Sequence, residues 1–297
     1  MRAVPIVTLV VAGLCGCIFL ALATVRGEPS WDVLAQVGYL PPPRIWDGAY
    51  WALVSSAFVH LAVWHLVFNL YWLWTLGSVM ERVVGSAKYL VFVVGAAAVT
   101  SAAQLGVSGV TGHGASGVVY AIFGFMWASR STVPEFATVV TEQRATLFWM
   151  WLVGCIVATW LGLVNIGNAA HVSGAMLGAA AAQSLMVRTG RRGLAMAATL
   201  AIAAASFGSV FWSPWSARWV AYKAYKAHVA GDWDVAIASY RRSIKLGFDR
   251  DWALKNLAYA YYSKHDDKEF AATLDELRVR NPREAARVES EIQHDSR

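Results

Sequence analysis

Apolar stretches of about 20 residues, long enough to cross a bilayer as a helix, recur along this chain of 297 residues. They lie at roughly 5–25, 51–77, 89–107, 147–165, 169–187 and 194–212. A shorter run, Ser116–Trp127, also spans if Ser116 lies below the surface in a water-filled dip. Few folds suit such a chain, because inside lipid each segment must pair its own backbone groups, as a helix does. The prediction is an all-α protein: a polytopic membrane bundle of seven helices, followed by a small soluble α-helical domain.

Charge marks where the bundle ends. Only 15% of residues are charged, against ~25% in an ordinary soluble domain. Residues 1–215 hold just ten of the 25 Lys and Arg and six of the 19 Asp and Glu. The expected division is a six-helix membrane core over 1–190, an additional transmembrane helix over 191–215, and a soluble helical domain over 216–297. The net charge of +6 fits basic inner loops. No basic face interleaved with aromatics is visible, so nucleic acid is not expected as a partner, whereas the lipid bilayer is. Cys15, Cys17 and Cys155 all fall in apolar segments, with neither a disulfide framework nor metal spacing. Leu14–Cys17 faintly resembles a lipoprotein cleavage site. Its flank is poorly basic, however, and Met1–Val25 is read as a span.

Lys and Arg set the orientation. With the N-terminus in the cytoplasm, the inner segments carry Arg2, Arg82, Lys88, Arg130, Arg144, Arg188, Arg191 and Arg192, and the short outer loops only Arg26 and Arg44. Seven spans then put the tail on the extracytoplasmic side. Residues 27–50 form a long first outer loop in which Pro41–Pro43 forbid a regular span. Its Trp31, Tyr39 and Trp46 suit the headgroup layer.

The tail carries a repeat-like pattern. Ala224, Ala227, Gly231, Trp233, Ala236, Ile237 and Tyr240 match the tetratricopeptide arrangement of small residues, a Gly turn, then Ala and an aromatic. Ala258, Tyr261, Phe270, Leu274 and Pro282 follow at a period of about 34 residues. The alternative is an unspecialised helical hairpin.

Chemistry concentrates at Gly112–Gly124, where Ser116 sits among glycines and opens an apolar helix. Gly117, Ala121, Gly124 and Ala128 make a flat stripe on that helix, and His171, Gly174, Gly178 and Ala182 make a second. Such stripes let membrane helices pack backbone to backbone, and packing these two together brings a serine to a histidine. Other hydrolytic chemistries are disfavoured. There is no His-Glu-x-x-His and no cysteine pair for a metal. No aspartate occurs between Asp47 and Asp232, which excludes an intramembrane aspartyl dyad. No cofactor or metal is expected.

A serine hydroxyl becomes a nucleophile when a base, usually histidine, takes its proton. With no aspartate for a conventional triad, Tyr120, one turn after Ser116, is a candidate to pack on the ring of His171. Donors for an oxyanion are the backbone N–H of Ser116, at its helix N-terminus, and His65 and Asn69, which share a helix face. Taken singly, His65 and Asn69 read as ordinary interhelical hydrogen-bonding residues; beside a Ser–His pair they read as functional.

Together these residues resemble the rhomboid family of intramembrane serine proteases. The resemblance rests on His60 and His65-x-x-x-Asn69, on Gly77-x-x-x-Glu81-Arg82, on Gly114-Ala115-Ser116-Gly117 with Tyr120, Ala121 and Gly124, and on Ala170-His171 with Gly174 and Gly178. It covers roughly residues 45–190. It implies a six-helix core, with Ser116 as nucleophile, His171 as base, and His65 and Asn69 lining the oxyanion hole. Tyr120 would stack on His171, Glu81 would be a structural acid near the inner side, and Trp51 a family aromatic at the outer loop. Ala52 departs from the arginine that many bacterial members carry there. The seventh span and the tail extend beyond that core. The location implied is a bacterial inner membrane, and the implied substrates are transmembrane helices cut near their outer end. The small residues around Ser116 suggest a small side chain before the cut. The competing reading is an inactive rhomboid-like protein that binds and escorts membrane helices. A transporter would show repeated halves with broken helices, and none is seen.

Overall fold

The computed structural model describes residues 4–186 and 190–295; Arg2 and Arg188 of the predicted inner segments lie outside the described residues. Every regular element among those residues is helical. Chain contacts divide the protein into two units, Met1–Trp212 and Ser213–Arg297.

In the first unit, α1 (Ile6–Ala23) has no side-chain cap of its own at Pro5. The Glu81 carboxylate meets that end instead, accepting from Val7 N and Thr8 N, each at 2.8 Å. It also accepts from the hydroxyls of Thr8 (2.8 Å) and Ser86 (2.7 Å). Four donors compensate the burial of a charge that is only 2% exposed. Residues 27–50, expected as the first outer loop, fold into two short helices, α2 (Trp31–Gln36) and α3 (Pro42–Trp46), the latter started by Pro42, whose fixed φ suits a first turn.

A continuous span over 51–77 does not form. Helix α4 (Ala52–Ser55) and a tight turn at Ser56–Phe58 are followed by a 100° bend into a helix over Val63–Val84. The bend is fixed by His60, which is fully buried. Its Nδ1 lies 3.3 Å from Phe58 O, and its Nε2 accepts the backbone N–H of Ala115 at 3.3 Å. Accepting at Nε2 assigns the ring proton to Nδ1, which donates to Phe58. The long helix comprises α5 (Val63–Trp72), a wide π-type turn at Leu73–Gly77, and α6 (Ser78–Val84).

Helix α7 (Ser86–Ser108) runs through the centre, buried by α4 on one side and by the next helices on the others. Then come α8 (Ser116–Ser129), the short α9 (Pro134–Val139) and α10 (Glu142–Trp160). The apolar run predicted a span over 147–165. The helix starts five residues earlier because Thr141 caps it, accepting from Arg144 N at 3.3 Å, and Gly162, at φ +71°, lies just beyond its end. Helices α11 (Asn168–Leu185) and α12 (Arg192–Phe211) complete the unit. By length and apolarity alone α1, α7 and α12 can cross a membrane, and the bent 52–84 pair makes a fourth. The seven spans expected from sequence also take in the 14-residue α8 and the polar-ended α10 and α11.

The tightest packing is α8 against α11. A Cβ added to Gly174 would fall 2.4 Å from Gly117 O, one on Gly178 1.9 Å from Ala121 O, and one on Gly124 2.2 Å from Ala175 O. Only glycine allows this approach, and dispersion between the two backbones replaces the hydrophobic drive that lipid cannot supply.

The second unit stacks α13 (Ala217–Val229), α14 (Trp233–Lys245), α15 (Arg250–Ser263), α16 (Asp267–Arg280) and α17 (Pro282–Asp295), each against the one before. Ala224, Ala236, Tyr240 and Leu257 share one core cluster, and Leu254, Ala258, Leu277 and Val288 another.

Candidate active site

Ser116 is the first residue of α8, where the backbone N–H groups have no partner inside the helix. The loop before it uses glycine twice in conformations other residues rarely adopt, Gly112 at φ +71° and Gly114 at φ +96°. His171 stands one turn into α11. The two backbones are so close there that His171 Nε2 lies 2.8 Å from Ser116 Oγ. His171 is buried, and its Nδ1 has no hydrogen-bond partner. The imidazole is held by stacking instead: Tyr120 lies against it with ring centroids 4.7 Å apart and planes at 29°. The Tyr120 hydroxyl donates to Phe148 O of α10 at 3.3 Å, which fixes that ring in turn.

His65 enters from α5. A Cβ on Gly114 would sit 2.5 Å from its Cε1, so a glycine is required for the ring to reach the loop. Asn69, four residues later and 1% exposed, donates through Nδ2 to His65 O at 2.8 Å. Its second amide hydrogen stays available. Gly117 packs on Thr100, whose Oγ1 would lie 2.6 Å from an added Cβ. These side chains border one cavity of about 470 Å³, shared by Ser116, His171, His65, Asn69, Tyr120 and Gly114. The predicted Gly174 and Gly178 lie behind it, in the α8–α11 contact. Trp51 is more than half exposed and Ala52 fully buried.

His60, one of the residues that carry the resemblance, joins the bend at 59–62 to the loop before Ser116. Two further residues of this region, Gln104 and His113, are not singled out by sequence chemistry. Gln104 of α7 accepts the Ala170 N–H through Oε1 at 3.1 Å, meeting the start of α11 next to the histidine. His113 borders the cavity beside His65. A lone glutamine within an apolar run was the available signal for Gln104. No group of three or more His, Cys, Asp or Glu among the described residues is arranged to hold a metal ion.

A serine hydroxyl, an imidazole 2.8 Å from it and N–H groups around one cavity are the kind of arrangement that can carry out acyl transfer. Residues 47–188 match the Rhomboid domain. Over 128 residues the chain is 38% identical to the rhomboid protease GlpG of Yersinia pseudotuberculosis serotype I (strain IP32953), covering 43% of this chain and 45% of that protein. It is equally similar to the one from Yersinia pestis (strain Pestoides F). Against that of Serratia proteamaculans (strain 568) the identity is 40%, with the same coverage. The chain thus spans less than half the length of these relatives. The Rhomboid domain and the apolar helices around it support the rhomboid family and an integral membrane protein. The match holds α4 to α11 and every residue bordering the Ser116–His171 contact, while α12 and the second unit lie beyond it.

Proposed function

We propose that this protein is a serine endopeptidase of a bacterial inner membrane that cuts membrane-spanning helices near their outer end. The 2.8 Å approach of His171 Nε2 to Ser116 Oγ inside a cavity carries this reading. His171 takes the hydroxyl proton as Ser116 Oγ attacks the scissile carbonyl carbon. The oxyanion is held by Ser116 N–H with His65 and Asn69. As the C–N bond breaks, the imidazolium returns its proton to the leaving amine, and an acyl-enzyme remains. Water, deprotonated by His171, then releases the new carboxylate and regenerates Ser116. Among the described residues no carboxylate backs His171, so the imidazolium relies on Tyr120 and the cavity. Because the carbonyl of a helical peptide bond is paired, substrates that unwind easily below the cut are favoured, and the close glycines favour a small residue before it.

The domain reading continues from this: a membrane core over 1–190, a further span over 191–215, and a soluble tetratricopeptide-like domain over 216–297, with the N-terminus inside and the tail outside. There the tail serves to gather substrate ectodomains or a protein partner on a concave helical face. A cytoplasm-only signal from a topology reporter fused after Arg297 overturns that placement. The enzyme reading is tested by a serine-reactive fluorophosphonate and by cleavage of a transmembrane peptide. Label and cleavage are both expected, and both are lost in Ser116→Ala. An escort protein takes no label but still captures the peptide. His171→Ala and the double variant should be no worse than Ser116→Ala.

A further inference from the structure

A donor in an oxyanion hole works only if its ring is turned correctly before reaction begins. His171 is held by Ser116 and Tyr120, and Asn69 by a hydrogen bond to His65 O. The ring of His65 has no such tether: among the described residues no protein hydrogen bond reaches either of its nitrogens. Rings surround it instead. His60 meets it with centroids 5.0 Å apart at 61°, and His113 at 5.5 Å and 63°. His60 is already fixed by Phe58 and Ala115. His113 lies between the two positive-φ glycines, Gly112 and Gly114, and Tyr39 packs on its ring with centroids 5.9 Å apart and planes at 86°. Its Nδ1 is buried without a partner. A buried imidazole nitrogen left unpaired costs stability, so packing rather than polarity places this side chain.

We propose that His113 is a positioning residue that holds the ring of His65 between itself and His60, turned toward the oxyanion formed at Ser116. The inference rests on the serine-endopeptidase reading above. It concerns the transition state only, because the oxyanion does not exist in the bound substrate. Loss of His113 should therefore lower kcat and leave KM unchanged.

The test uses the full-length protein and a fluorogenic peptide made of one membrane-spanning helix, with alanine before the cut and Gly-Pro below it. His113→Ala is expected to reduce kcat about tenfold, the factor that one ring–ring contact corresponds to, with KM unchanged and a cooperative melt retained. His113→Phe, which keeps an aromatic edge, should restore most of kcat, and His113→Gln should not. In a His65→Ala background, His113→Ala should add no further loss. The proposal is overturned if kcat is unchanged in His113→Ala, if its full loss persists without His65, or if Gln rescues where Phe does not. If His113→Ala fails to melt cooperatively, the Phe and Gln variants decide the matter. Wild-type protein that neither cuts the peptide nor takes a phosphonate label at Ser116 overturns the hydrolase reading itself.

Discussion

The two units complete their helix ends in opposite ways. In Ser213–Arg297 the caps are local: Ser216, Asp232, Asp249 and Asp266 each accept an N–H from within their own helix's first turn. In the membrane unit α1, α5, α7, α8, α11 and α12 have no side-chain cap, and Thr141 of α10 is the exception among its long helices. The partners come from far away instead: Glu81 for α1, Gln104 for α11, and His60 for the loop before α8. The same contrast governs how helices hold together. The second unit buries apolar clusters and crosses helices with exposed ion pairs such as Arg241–Glu269 and Arg250–Glu276. The membrane unit brings glycine backbones together. Where water is absent, a helix end without a local cap can be answered from elsewhere in the chain, so Glu81, Gln104 and His60 each specify tertiary structure as well as a local end.

The comparison can be broken at its strongest point first. Gly178→Val puts atoms where Ala121 O already lies. It should cost more than the ~1–3 kcal/mol of ordinary overpacking and abolish both a cooperative melt and Ser116 labelling. Gly208→Ala on α12, with nothing within 4 Å, should not destabilise and is expected to add about 0.4–1 kcal/mol. Equal effects would remove the special role of the α8–α11 contact. Polar atoms of the membrane unit should then separate into two kinds. Asn69→Ala is expected to slow turnover by about 10²–10³ with an unchanged melt. Glu81→Gln should lose about 1–3 kcal/mol of stability while the remaining folded fraction keeps its rate, as read by active-site titration. Asp249→Ala, a local cap, should cost only about 1 kcal/mol, visible as faster hydrogen exchange confined to residues 213–295. The smallest effect concerns pH. Burial lowers the pKa of His228, whose Nδ1 meets the Tyr240 hydroxyl at 3.2 Å. The folded tail thus binds fewer protons than the unfolded chain, and its stability should fall as pH drops below about 6.5. Tail stabilities from hydrogen exchange, corrected for intrinsic exchange, should differ less between about pH 7.5 and 5.5 in His228→Gln.

What was legible in the sequence follows from the same physics. The approach of α8 to α11 shows as glycine and alanine three and four residues apart, because close helix packing and helical period leave one shared trace. The bend at 59–62 leaves none: Ala52–Val84 is apolar on both sides of it, and composition says nothing about direction. Its cause, His60, is a single side chain whose partners lie at Phe58 and Ala115. Gln104 and His113 were missed for the same reason, since the groups they meet are brought to them by the fold. The start of α10 lies ahead of the apolar run because a capped helix can begin with Glu142, Gln143 and Arg144, residues that an apolar window passes over.

Glu81 also has a consequence in time. Thr8 and Glu81 stand 73 residues apart in the chain. At about 5–20 residues per second, the first helix leaves the ribosome roughly 4–15 seconds before the group that completes its N-terminal end. During that interval the N–H groups of Val7 and Thr8 depend on water or lipid headgroups, so α1 should wait near the interface. Its final depth would then be set only when α6 arrives. Synthesis order and assembly order would then differ, and a carboxylate 73 residues further along the chain would decide when its beginning is finished.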